Sequence, residues 1–165
     1  MGKQAAVVVM FALAGCGAKP DSGGDEARTW GGPTAGTTDD GLWAVSYTSA
    51  PDPIPFNVPF AVIWELRALQ GAPDPTEMWA DLWMPEHQHG GATLPTTQPV
   101  GAQGDTVRFE TTDLQLHMPG DWELQLRIDG GGQTDTLILP YTCCAGYAED
   151  APGTDTPAPH AVEPR

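Results

Sequence analysis

Residues 122–128 read WELQLRI, and their alternation decides the fold. Trp122, Leu124, Leu126 and Ile128 face one way, while Glu123, Gln125 and Arg127 face the other. A period of two means a strand with one wet face, as in antiparallel sheets. Pro119, Gly120 and Asp121 set a turn before it. Working outward, 58–69, VPFAVIWELRAL, carries an inward row of Phe60, Val62, Trp64 and Leu66. A helix competes there, because Ala, Leu, Glu and Arg are good helix formers. The β-branched and aromatic side chains at Val58, Phe60, Val62, Ile63 and Trp64 decide for a strand. Residues 135–139, DTLIL, form a third strand ended by Pro140, reached through a hairpin at DGGG, 129–132.

Weaker strand patterns occupy 41–48, 80–84, 106–109 and 113–117. Pro73 and Pro75 leave room for at most one short helical turn, at 76–79. About seven short strands with turns between them predict an all-β chain, an antiparallel β-sandwich.

The N-terminus reads as an export signal. MGKQ carries one lysine, AAVVVMFALA is uncharged and mostly apolar, and LAGC at 13–16 resembles a bacterial lipobox. Residues 1–16 are then a lipoprotein signal peptide whose Cys16 carries the lipid; the competing reading is an ordinary signal peptide with an incidental cysteine. Gly17 after that cysteine favours the periplasmic face of the outer membrane. Residues 17–40 are rich in Gly, Pro, Ser, Thr and acids, which predicts a flexible acidic tether. Residues 147–165 predict a disordered, proline-rich tail in which His160 is incidental. The sandwich is left with 41–146, about 105 residues, the size of one single-core domain. No later stretch approaches the roughly 20 apolar residues that span a bilayer.

Lys and Arg number 7 against 22 Asp and Glu, for a formal net charge of −15. That balance argues against nucleic acid or an anionic membrane surface as a partner. Acidity of this kind serves solubility in the simpler reading and concentrates cations in the sharper one. With Cys16 lipidated, the adjacent Cys143 and Cys144 remain. Outside the cytoplasm they are open to a bond with each other or with a partner chain, and a soft-metal site is the competing role.

Residues 84–90, MPEHQHG, crowd a thioether and two imidazoles together. His87 and His89 on an extended segment would point to opposite faces unless the loop curls, a freedom Gly90 and Gly91 would give it. A second pair, His117 and Met118, flanks another strand end. A shared site would join His87, His89 and Met118, with Met84 or His117 completing it, and thioether with imidazole suits reduced copper. The plainer reading has the histidines bonding loop carbonyls or Glu86, and the methionines filling core.

LWMPEHQHG at 82–90 and LQLHMPGDWELQLRI at 114–128 resemble the pattern of the YtkA-like family, grouped loosely with FixH-like and CopC-like copper-associated proteins. The resemblance covers approximately 58–139. It rests on Met84, Pro85, His87, His89 and Gly90 in one piece, and on Met118, Pro119, Gly120, Trp122 and Glu123 in the other. It implies an immunoglobulin-like sandwich at the cell envelope with a copper-related role. The Cys143–Cys144 pair and the acidic flanks depart from the plain domain.

Catalysis finds little support in these residues. Ser46 and Ser49 lie in no G-x-S-x-G elbow, and GGATLPT and DGGGQTDT lack the context of a phosphate loop. Asp129 and Asp135 would supply oxygen to a calcium loop, but without EF-hand spacing. Two classes stay open: a lipoprotein that binds or delivers copper, and a non-catalytic structural or interaction module that meets an envelope protein and holds no metal.

Overall fold

The computed structural model describes residues 31–69 and 71–144. Cys16, the first part of the expected tether and the 147–165 tail with His160 lie outside them. In chain order the strands are β1 (Ala35–Thr37), β2 (Trp43–Ala50), β3 (Phe60–Ala68), β4 (Glu77–Met84), β5 (His89–Gly90), β6 (Thr96–Gln103), β7 (Thr106–Leu114), β8 (Gly120–Gly130) and β9 (Gln133–Cys143). They form a five-stranded sheet, β1-β2-β3-β7-β6, and a four-stranded sheet, β5-β4-β8-β9, with every pairing antiparallel. Two antiparallel sheets facing one another make the all-β, immunoglobulin-like sandwich that the alternation predicts. Among the described residues no helix is long and apolar enough to cross a membrane.

The inward rows meet between the sheets. From the first come Trp43, Val45, Phe60, Val62, Trp64, Leu66 and Phe109; from the second, Met78, Leu82, Met84, Trp122, Leu124, Leu126, Ile128, Leu137 and Leu139, all buried. The alternation at 122–128 and at 60–66 thus sorts side chains as the sequence predicts. Two indoles reach partners from within this layer: Trp64 Nε1 donates to Thr111 Oγ1 at 2.9 Å, and Trp43 Nε1 donates to the Pro73 carbonyl at 2.8 Å. The buried Thr111 hydroxyl also bonds Thr97 Oγ1 at 2.8 Å, so no polar group there is left unmatched.

Several elements differ from the expectation. The turn expected at 76–79 is instead the start of β4, because Met78 and Ala80 point inward at strand period beside β8. The two strands expected at 106–109 and 113–117 are one strand, β7, ending at Leu114, with Leu116 buried just beyond it. Pro140 does not end β9, which runs on to Cys143; an edge strand has a free side where the missing N–H costs no ladder bond. The chain joins the sheets before residue 41: Gly31 exchanges hydrogen bonds with Thr142, and β1 pairs with β2. Strand β6, TTQPVGAQ, is largely exposed with Pro99 and Gly101 inside it, so no apolar period announces it. Between β8 and β9 the two-residue turn is Gly131-Gly132, at φ 55° and 79°, the left-handed pair that a tight hairpin requires.

One buried carboxylate ties the sheets together. Asp135 on β9 is 4% exposed and accepts from Asp40 N at 3.0 Å, Leu42 N at 3.3 Å and Thr136 N at 2.8 Å, which binds it to the β1–β2 corner. Burial alone would raise its pKa; the Thr38 hydroxyl and the three amides outweigh burial and hold it below the ordinary value. It is therefore a structural clamp rather than a calcium ligand. A depressed folded pKa contributes stability above the unfolded carboxylate's pKa, lost as pH falls through the folded value. Asp135→Asn should cost about 2–3 kcal/mol at pH 7, the scale of a charge-assisted hydrogen-bond group. In urea melts that difference should shrink steadily as the pH is taken below about 4; a difference independent of pH would refute the clamp.

Candidate functional site

The backbone brings the two histidine segments together. After β4 the chain turns tightly over 85–88, with Gln88 N bonded to the Met84 carbonyl at 2.8 Å and Gln88 itself at φ 55°. That left-handed residue, rather than Gly90 or Gly91, supplies the curl. The glycines serve close approach instead. A Cβ on Gly91 would stand 3.2 Å from the Gln115 carbonyl, and one on Gly90 would stand 3.3 Å from the Leu82 carbonyl. Ala92 N also reaches the Gln115 carbonyl, at 3.4 Å, so the chain leaving β5 lies against the segment leading to His117.

Three imidazoles and one indole gather as a result. Ring centroids lie 5.9 Å apart for His87 and His89, and 5.1 Å for His89 and His117. Trp122 meets His89 at 5.8 Å and His117 at 5.5 Å, both edge to face. The indole is 1% exposed and its Nε1 donates to the Met118 carbonyl at 3.0 Å, fixing the 117–118 turn. His87 is exposed, and His89 and His117 are half-buried.

Each sequence-predicted residue has a definite place. His87, His89 and His117 converge. Met118, next in the chain to His117, is partly buried against the core. Met84 is 1% exposed and fills the core; its Cε would stand 2.7 Å from a Cβ on Gly120, which sits at φ 131°. Cys143 and Cys144 are bonded to each other and fully buried. Asp129 pairs with Arg127 at 3.2 Å and bonds the Thr134 hydroxyl.

The donor atoms differ in availability. His89 Nδ1 lies 2.8 Å from the Gly90 carbonyl, which assigns it the proton and leaves Nε2 as the basic nitrogen. His117 Nδ1 is buried without a hydrogen-bond partner. Among the described residues no three His, Cys, Asp or Glu side chains are grouped to hold a metal ion. Imidazole with thioether is a donor set that a soft ion accepts; His89 and His117 bring two imidazoles together, and Met118 follows His117 directly in the chain.

A second hollow, of about 370 Å³, is lined by Tyr47, Asp52, Ile54 and Tyr141 among others. Burial, then the nearby Tyr141 and Asp52, push the Tyr47 phenol up to about 12. Burial and Asp52 likewise raise Tyr141. Both phenols stay neutral donors, the wrong direction for a nucleophile.

A further surface feature is the outer face of the second sheet, where Trp79 and Ile138 are each 50% exposed. A tryptophan on the polar side of an alternating strand is the signal that would have found it. Comparison with family models, with curated proteins and with solved structures returned no match for this chain.

The Trp122 indole joins core and histidine end, whereas His87 sits outside both. Trp122→Ala should cost about 3–5 kcal/mol and abolish cooperative unfolding in a domain of ordinary stability. His87→Ala should leave the thermal transition of the metal-free protein nearly unchanged. If both variants melt like the parent, β8 is wrongly placed at the centre of the core.

Proposed function

We propose that this chain is a non-catalytic interaction module of the cell envelope, a β-sandwich held to the periplasmic face of the outer membrane by a lipid on Cys16. The LAGC stretch at 13–16 supports the anchor. The observation that carries the module reading is the outer face of the four-stranded sheet. Trp79 and Ile138 stand half exposed there on strands of a rigid sandwich, and tryptophan on a fixed surface is the side chain that dominates protein contacts. The neutral phenols of Tyr47 and Tyr141 and the clamped Asp135 support a structural rather than catalytic use of the ionisable groups.

A second reading has its own observation. The orphaned Nδ1 of His117, beside His89 with its free Nε2, favours a soft-metal role in which the module binds or delivers copper, as the YtkA-like resemblance implies. When bound, Cu(I) would supply a transferable soft cation. The chain's part would be to present imidazole and thioether donors and to shield them with Trp122.

Cu(I) competition titration of the full chain separates the two. The module reading predicts affinity no tighter than an isolated surface histidine's, unchanged when His89, His117 and Met118 are all replaced by Ala. One tight equivalent, lost in that triple variant, would overturn it in favour of copper handling.

A further inference from the structure

The outer face of the second sheet is a grid fixed by strand register. Along β4 the outward residues are Glu77, Trp79, Asp81 and Trp83, opposite Asp129, Arg127, Gln125 and Glu123 on β8. Thr134, Thr136, Ile138 and Pro140 of β9 complete the rows. Trp79 stands as a ridge with a hollow on either side. One, of about 410 Å³, is lined by Glu77, Trp79, Arg127 and Asp129. The other, of about 330 Å³, is lined by Trp79, Gln125, Leu126, Arg127, Thr136 and Ile138.

The two hollows share Arg127 but differ in carboxylates, which line only the first. Glu77, Asp81, Glu123 and Asp129 share this face with one cation, Arg127, whose guanidinium is committed to Asp129 at 3.2 Å. Neighbours two apart on one strand face lie about 7 Å from each other. A cationic side chain over the Trp79 indole is therefore within reach of both Glu77 and Asp81, combining cation–π attraction with carboxylate pairing. The second hollow holds no carboxylate; the half-exposed Ile138 gives it its aliphatic surface, and Arg127 lines its edge as it does that of the first.

We propose that this face docks an extended segment of a partner protein in which a lysine or arginine and an aliphatic residue stand two positions apart, so that both face the sheet, the cation seated by Trp79, Glu77 and Asp81 and the aliphatic side chain by Ile138. This rests on the module reading and names its partner's chemistry. An anionic partner would meet the same carboxylates at a cost, and a neutral glycan would leave them unanswered.

The test is calorimetric titration of the full chain with an acetylated Thr-Lys-Val-Thr-Lys-Val peptide at 0.15 M salt. Comparison peptides carry Glu for Lys or Ser for Val, and a neutral oligosaccharide serves as a further ligand. Saturable binding of the Lys/Val peptide is expected, with at least tenfold loss in Trp79→Ser and in the Glu77→Gln/Asp81→Asn pair. Val58→Ser, an exposed apolar position on the approach to β3, should bind like the parent. Because the charge pair keeps the indole, it holds the test open should Trp79→Ser disturb the sheet. No saturation up to millimolar peptide overturns the proposal, as do equal binding of the Glu peptide, preference for the oligosaccharide, or indifference to both variants. Those outcomes remove the basic partner alone, whereas a tight Cu(I) equivalent at the histidines removes the module reading beneath it.

Discussion

The Trp122 indole is the constraint on which the rest of this structure depends. Its ring is buried at the histidine end of the inter-sheet layer, its Nε1 donates to the Met118 carbonyl, and two imidazoles lean on it. A large apolar ring with one N–H suits a place where core ends and polar loop begins. Burial of the ring sets the register of β8. The hydrogen bond then sets the turn from which His117 and Met118 project. The histidine end is thus a consequence of core packing rather than an independent feature of the loops.

The second constraint is the Asp135 clamp. Sheets in a sandwich meet through side chains, which leaves their corners free to splay; a carboxylate on β9 that accepts three amides, two of them from the β1–β2 corner, removes that freedom. With core and corner both fixed, the outer face of β4, β8 and β9 becomes a firm platform. Presenting Trp79 and Ile138 on such a platform lowers the ordering cost of association, which is where rigid scaffolds gain over loops.

Much of this was legible in the residues. WELQLRI gave its burial pattern directly, and the inward row of Phe60, Val62, Trp64 and Leu66 followed the same period. The histidine pairs were readable as neighbours because both flank strand ends. What the period of two cannot show is a strand with no buried face, and β6 has none. Nor does a local rule reveal that Thr76 to Trp79 extends: Pro73 and Pro75 speak for a turn, and the pairing with β8 overrides them. Conformational freedom points to the glycines for the curl at His87, whereas Gln88 takes the left-handed position and the glycines answer crowding by the Leu82 and Gln115 carbonyls. The outer face is not legible while 76–79 reads as a turn, because only a strand there puts Trp79 on the polar side.

The most direct test of the central claim is proton NMR of the full chain, reading the Trp122 indole itself. A ring that anchors both the core and the histidine end should show cross-relaxation from its protons to the rings of His89 and His117. Its Nε1 proton should also exchange with solvent far more slowly than that of the exposed Trp79. Exchange as fast as Trp79's, with no cross-peak to either imidazole, would contradict the account.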